Sequence, residues 1–133
     1  MAVYCRIPGE TAVRPELKRG AAWKADRLRK AGAKVEIFEK SDVAPLVVGE
    51  MGSGKRTLIC VQHYDVQPAA PLDLWTSPPY EPEIRDNKLF ARGVSDTKGQ
   101  SLIRLQAARA YQDSHGPRPI TSSFLAQGEE GPP

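Results

Sequence analysis

A histidine and an aspartate stand two positions apart at the end of a β-prone run. Residues 57–61 read TLICV, and His63 and Asp65 follow them closely. In an extended chain alternate side chains point to the same face, so the imidazole and the carboxylate are expected side by side. A carboxylate that accepts the second ring N–H fixes the tautomer of a metal-binding histidine. The spacing therefore indicates a metal site, with a plain structural hydrogen bond between the two side chains as the alternative.

A second candidate is Asp96, in the polar stretch RGVSDTKG at residues 92–99. Apolar residues at helical spacing predict a helix at residues 100–112, directly after this stretch. Aspartate is a preferred N-cap, and its charge suits the helix dipole. On residue type alone the cap is the more common role for Asp96, and metal ligation is the alternative.

Two adjacent carboxylates, Glu129 and Glu130, follow a strand predicted at residues 120–126. Paired carboxylates beyond a strand are commonly solvated charge. A helix between two strands, however, predicts a parallel crossover. That topology brings His63, Asp96 and Glu130 to one edge of the sheet, where α/β folds place their sites.

The remaining pattern predicts a single α/β domain, a mixed β-sheet flanked by helices. Residues 1–14 are expected to be irregular, since Pro8 and Gly9 interrupt regular structure. The other predicted elements are a helix at 15–31, strands at 34–38 and 45–49, a turn at 51–55, a central buried strand at 57–61, a proline-rich loop at 69–82 and a hairpin at 83–91.

The turn before the central strand partly matches a phosphate-binding loop. Gly49, Gly54 and Lys55 fit G-x-x-x-x-G-K, but the next position is Arg56, where that motif needs a hydroxyl, and Thr57 comes one place late. The motif must also open a helix, whereas a strand is predicted here. We interpret the segment as a hairpin turn.

Composition argues against nucleic-acid and membrane roles. The net charge is +3, the basic residues are scattered, and no apolar segment approaches the length of a membrane span. Cys5 and Cys60 are far apart in sequence. We interpret both as free thiols in a reducing compartment, which favours the cytoplasm.

Three ordered motifs resemble one enzyme family. They are HYDVQP at residues 63–68, W-x-x-P-P-Y-E-P at 75–82 and ARGVSDTKG at 91–99. The chain resembles the co-catalytic zinc metallopeptidases, which include carnosinase and related cytosolic dipeptidases, carboxypeptidase G, aminoacylase and acetylornithine deacetylase. The first two motifs look most like the dipeptidase branch. The resemblance runs from about residue 15 to residue 130 and implies an incomplete zinc-exopeptidase-like catalytic domain over residues 1–133.

The resemblance also implies roles for individual residues. His63 corresponds to a ligand of one zinc ion, Asp65 to the catalytic carboxylate that orients it, and Asp96 to the aspartate that bridges both metals. Near the end of the chain the family reads E-G-x-E-E, where the first glutamate of the final pair is the general base and the second binds zinc.

The sequence can be aligned with that last motif in two ways. A gapless alignment places Glu130 on the general base and Gly131 on the metal-binding glutamate. Sliding by one residue assigns Glu129 and Glu130 to the pair but requires a deletion, so the gapless register is preferred. The further ligands of the family lie beyond this point, and residues 127–133 look like a truncated catalytic loop.

The implied activity is zinc-dependent hydrolysis of dipeptides or small peptides, with manganese as the alternative ion. Family members are often homodimers through a domain that these residues lack. Two other readings stay open: deacylation of N-acyl amino acids within the same family, and a non-catalytic remnant that serves in metal binding or interaction. No nucleic-acid or membrane partner is expected.

Overall fold

The structure is a computed structural model that describes residues 1–11 and 13–129. Its main elements, in chain order, are α1 (Ala2–Cys5), α2 (Arg14–Lys30), β1 (Lys34–Phe38), β2 (Leu46–Met51), β3 (Thr57–His63), β4 (Glu83–Arg85), β5 (Lys88–Phe90), α3 (Lys98–His115) and β6 (Thr121–Gln127). The predicted α/β class, with a mixed sheet flanked by helices, is confirmed.

The main sheet has the strand order β1-β2-β6-β3. β1 and β2 are antiparallel, as are β2 and β6, whereas β3 and β6 are parallel. α3 makes the crossover between the two parallel strands, as the sequence predicts. In their register His63 lies opposite Gln127, so both strands end at the same edge of the sheet.

The prediction that residues 57–61 form a central, buried strand is wrong. β3 is an edge strand of the described sheet, and its side chains Leu58, Ile59 and Val61 are 53%, 60% and 61% exposed. The interior positions belong to β2 and β6, and β6 carries the buried serines Ser122 and Ser123. An apolar, β-branched run reports strand propensity, but strand order depends on the crossover.

The segment between β2 and β3 is not a hairpin turn, because β6 lies between these two strands. A Cβ at Gly52 would lie 2.2 Å from the carbonyl oxygen of Ile120, and one at Gly54 would lie 1.9 Å from that of Pro119. Glycine is needed because the connection passes directly against the backbone before β6. A strand follows the segment, so the helix that a phosphate-binding loop requires is absent there.

α2 begins with Pro15 in its first turn, where the missing N–H costs nothing. Its buried face packs on the sheet. Leu28 lies directly over Gly49, because a Cβ at that glycine would be only 3.0 Å from the Leu28 side chain. Gly32, at φ +86°, follows the helix end. Within residues 1–11 and 13–129, no helix has the length and apolar character needed to cross a bilayer.

The expectation of an irregular start over residues 1–14 is wrong in part. α1 forms a short helix there, and its Tyr4 and Cys5 are fully buried. The Tyr4 ring stacks on Trp23 of α2 with the ring centroids 4.0 Å apart. Pro8 therefore interrupts the chain after a packed helix, and four residues are too few to show a helical period in the sequence.

A buried lysine joins three elements of the fold. Lys24 of α2 is fully buried, and its Nζ donates to Gln62 Oε1 of β3 at 2.9 Å and to Ser101 Oγ of α3. Burial, together with the like charge of Arg104, lowers the pKa of Lys24 to about 8. Hydrogen bonds offset part of the cost of burying the ammonium group.

This lysine predicts a pH dependence of stability. The pKa of Lys24 is about 8 when folded and near its ordinary 10.5 when unfolded, so the unfolded chain binds more protons between these values. The free energy of unfolding should therefore rise with pH through this window, by at most about 3 kcal/mol from this residue. Lys24→Met should flatten the rise in urea denaturation at pH 7 to 10. Lys18→Met, at an exposed position on the same helix, should keep it; equal slopes in all three proteins would contradict the prediction.

Candidate metal site

The structure brings together two predicted ligands that are 33 residues apart in sequence. His63 ends β3, and Asp96 lies in the loop before α3. His63 Nε2 is 3.1 Å from Asp96 Oδ1. The His63 side chain is 11% exposed and that of Asp96 is 69% exposed, so the pair opens to solvent on the aspartate side.

Asp65 lies behind His63, as period-two spacing predicts. Its side chain is 1% exposed, and Oδ1 is 3.2 Å from His63 Nδ1. The backbone oxygen of Asp65 lies at the same distance from this nitrogen. On its other side, Asp65 Oδ2 accepts a hydrogen bond from Thr11 Oγ1 at 2.7 Å. The carboxylate is thus held between a hydroxyl and the imidazole.

These contacts determine what can occupy the space between His63 and Asp96. With two acceptors beside Nδ1, the neutral imidazole carries its proton there, and the lone pair of Nε2 faces Asp96 Oδ1. Two acceptors at 3.1 Å require a proton or a cation between them. The arrangement therefore fits a divalent metal, for which neutral imidazole and carboxylate are common ligands.

Asp96 is not the cap of the following helix. α3 begins at Lys98, its N-cap residue is Thr97, and no side chain caps it. The helix dipole accordingly does not account for the aspartate at this position. The more common role expected from residue type is thus wrong, and the side chain of Asp96 faces His63 instead.

The terminal glutamates do not complete the site within the described residues. Glu129 Oε1 forms an ion pair with Arg14 Nη2 at 3.4 Å. Glu130 lies outside the described residues, so its predicted role stays a prediction. Across residues 1–11 and 13–129, no group of three or more His, Cys, Asp or Glu side chains could hold a metal ion. Two of the predicted ligands, His63 and Asp96, lie together in this part of the chain, whereas zinc normally has three or four ligands from protein.

A groove adjoins the site. Its volume is about 580 Å³, a size that suits a small ligand, and it runs between the proline-rich loop and the β4–β5 hairpin. Ser95, directly before Asp96, lines it. The other side chains that define it include Trp75, Arg85, Phe90 and Val94. The Trp75 indole N–H donates to the carbonyl oxygen of Ala69 at 2.8 Å, which fixes the wall of the groove.

Sequence reasoning missed two residues that support the site. Thr11 gives no signal, because its partner Asp65 is 54 positions away. Lys98 does give a signal in the sequence, because a lysine in the first turn of a helix opposes the helix dipole and needs a specific partner. Its Nζ donates to the carbonyl oxygens of Ile7 and Pro8, the latter at 2.8 Å.

Comparison with known proteins identifies the family. Residues 59–132 match the sequence profile of Peptidase family M20/M25/M40. The chain belongs to this family of metal-dependent hydrolases, and membership implies a divalent metal. The resemblance inferred from the three motifs is therefore confirmed.

Curated relatives are similar to this chain over most of its length. Succinyl-diaminopimelate desuccinylase of Xanthomonas oryzae pv. oryzae (strain PXO99A) is 34% identical over 126 residues, which cover 95% of this chain and 33% of the relative. The same enzyme of Dechloromonas aromatica (strain RCB) is 33% identical over 105 residues, covering 79% of this chain and 28% of the relative. The chain spans about a third of the length of these curated relatives.

Solved structures match the fold closely. Human carnosine dipeptidase 1 superposes with a TM-score of 0.86 and 29% identity over 95% of this chain and 30% of that one. The M20 family metallo-carboxypeptidase Sso-CP2 from Sulfolobus solfataricus gives a TM-score of 0.87 and 29% identity over 96% of this chain and 29% of that one. The mixed sheet and its helices are thus those of this family's catalytic domain.

The position of Asp65 predicts an effect on metal affinity. Asp65→Asn keeps the shape of the side chain but removes the charge that orients His63, so zinc affinity should fall about 10- to 100-fold. Competition with a chromophoric chelator measures this fall. Asp26→Asn, on the exposed face of α2 where Asp26 pairs with Lys30, is the matched control and should leave affinity unchanged. Unchanged affinity in Asp65→Asn would show that the carboxylate is structural only.

Proposed function

We propose that this chain forms part of a zinc-dependent hydrolase that cleaves amide bonds in dipeptides or small peptides. The observation that carries the proposal is the approach of His63 Nε2 to Asp96 Oδ1 at 3.1 Å, with Asp65 behind the ring. The approach requires a proton or a cation, and the family to which the chain belongs is metal-dependent. Manganese is the alternative ion.

In this proposal each residue of the pair has a distinct task. His63, through Nε2, and Asp96, through its carboxylate, would hold the metal. Asp65 accepts a hydrogen bond from the Nδ1–H of His63 and keeps Nε2 directed at the site. The Asp96 side chain is exposed to solvent, and its neighbour Ser95 lines the groove. A small peptide in that groove would bring its amide carbonyl to the pair.

Glu130 is proposed as the general base. When bound, the metal activates water and polarises the amide carbonyl. Glu130 would accept the proton of the attacking water and return it to the leaving nitrogen. Glu129 is the less suitable candidate, because its carboxylate already pairs with Arg14. The gapless register of the family motif gives the same choice.

A second candidate function is deacylation of N-acyl amino acids. It is favoured by the curated relatives, since the chain is 34% identical over 126 residues to a succinyl-diaminopimelate desuccinylase. The first candidate draws on the solved structure of carnosine dipeptidase 1, at 29% identity. Both reactions break an amide bond between small groups, so the proposed residues keep the same roles in either.

A reducing compartment such as the cytoplasm is the proposed location. Cys5 is buried and Cys60 half-buried, and both are free thiols. Free cysteines persist where glutathione and thioredoxin keep thiols reduced.

The number of ligands predicts the behaviour of the isolated chain. With two described ligands, zinc should bind weakly in titration calorimetry, and dipeptide hydrolysis should be negligible. His63→Ala should weaken binding further, by about tenfold or more, because it removes a ligand outright. Tight binding of two zinc ions, with turnover abolished by Glu130→Gln, would show that the chain holds a complete site. No binding at all would contradict the proposed ligands.

A chimera separates the two candidate substrates. In the Xanthomonas desuccinylase, the aligned 126 residues are replaced by this chain carrying Gly131→Glu, which supplies His63, Asp96 and Glu130 and restores the metal-binding glutamate of the preferred register. The chimera should hydrolyse either an N-succinyl amino acid or a dipeptide, and the ratio of kcat/KM for the two identifies the class. Glu130→Gln should lower kcat about 10²- to 10⁴-fold with unchanged metal content. Full activity of this variant would exclude Glu130 as the base.

A further inference from the structure

A short segment near the N-terminus, residues 7–11, packs against the residues that follow His63. It forms a parallel bridge with the residues just after β3, in which Glu10 pairs with Val66. The Val66 N–H donates to the carbonyl oxygen of Gly9 at 2.9 Å, and the Thr11 N–H donates to that of Val66 at 3.0 Å. The backbone of this segment is therefore fixed relative to the strand end that carries His63.

Thr11 uses this position to contact Asp65. Its hydroxyl donates to Asp65 Oδ2 at 2.7 Å, and both side chains are buried. The terminal torsion of an aspartate is broad, so the plane of the carboxylate must be set by its hydrogen-bond partners. With Oδ2 held by Thr11, Oδ1 is directed at His63 Nδ1, 3.2 Å away. The hydroxyl therefore selects the carboxylate orientation that orients the ring.

The same segment also contacts the first turn of α3, close to Asp96 in sequence. Lys98, two residues after Asp96, is fully buried, and its Nζ donates to the carbonyl oxygens of Ile7 and Pro8. Residues 7–11 thus contact both Asp65, which lies behind His63, and Lys98, which follows Asp96 by two residues.

We propose that Thr11 is a positioning residue of the metal site, which acts on His63 through Asp65. The inference rests on the proposed function, because it assigns Thr11 to the metal site formed by His63 and Asp96. In this assignment Thr11 is not itself a ligand. Its task is to hold the carboxylate of Asp65 in the plane that keeps the Nδ1 proton of His63 bonded and Nε2 directed toward Asp96.

The test compares hydroxyl-bearing and hydroxyl-free variants of the whole chain. Thr11→Val keeps the branched shape and removes the hydroxyl, whereas Thr11→Ser keeps the hydroxyl. Thr121→Val is the matched control: it deletes a threonine hydroxyl that donates to the carbonyl oxygen of Gly54 at 3.0 Å, at the far end of β6 from His63. Urea denaturation of each variant reports any loss of stability.

Zinc affinity, measured by chelator competition, is the first readout. Thr11→Val should lower it about tenfold, while Thr11→Ser and Thr121→Val should stay within about twofold of the unsubstituted chain. The inference is overturned if Thr11→Val binds zinc like the unsubstituted chain, if Thr11→Ser fails to restore affinity, or if Thr121→Val loses as much. Thr11→Ala serves as the second hydroxyl-free variant if the valine folds poorly.

The ring ¹⁵N signals of His63 in the metal-free chain are the second readout. In the unsubstituted chain and in Thr11→Ser the Nδ1–H of His63, bonded to Asp65, should be protected from exchange with water, and in Thr11→Val it should exchange faster. Failure of the unsubstituted chain to bind zinc would refute the proposed function, while these signals would still decide the role of Thr11. Unchanged exchange of this ring N–H in both hydroxyl-free variants would overturn the inference.

Discussion

The parallel pairing of β3 with β6 is the constraint on which the site depends. Parallel strands end at the same edge of a sheet, and the crossover helix that joins them must begin near the edge where the first strand ends. His63 ends β3, and the loop before α3 therefore returns Asp96 to within 3.1 Å of it. A hairpin connection would have reversed the second strand and removed the helix whose start presents the aspartate.

Buried polar side chains hold this edge in place. Asp65, Lys24 and Lys98 are almost completely buried, and each makes hydrogen bonds to residues distant in sequence. Burying such groups is costly, and hydrogen bonds offset only part of the cost. Aliphatic packing would serve stability equally well, but it would not fix the plane of a carboxylate. The polar interior beneath the site therefore defines geometry more than it adds stability.

The sequence predicts the approach of His63, Asp65 and Asp96 better than it predicts the strands around them. The spacing of His63 and Asp65 is a local property of a strand, and the return of Asp96 follows from the order of the elements. The assignment of Glu130 as the general base depends on how residues 127–131 are aligned with the family motif. Thr11 could not be predicted, because a hydrogen bond across 54 residues leaves no local pattern. The burial of β3 was mispredicted for a related reason: whether a strand lies inside or at the edge of a sheet depends on partners far away in sequence.

The edge position of β3 carries a practical consequence. Its outer backbone groups have no strand beside them in the described sheet, and Leu58, Ile59 and Val61 are largely exposed. Such edges are templates for pairing with another polypeptide. Any chain that added itself there would run alongside His63, the last residue of the same strand. If a second copy paired at this edge, self-association and metal occupancy would be coupled equilibria, and protein concentration would affect every affinity measured at this site.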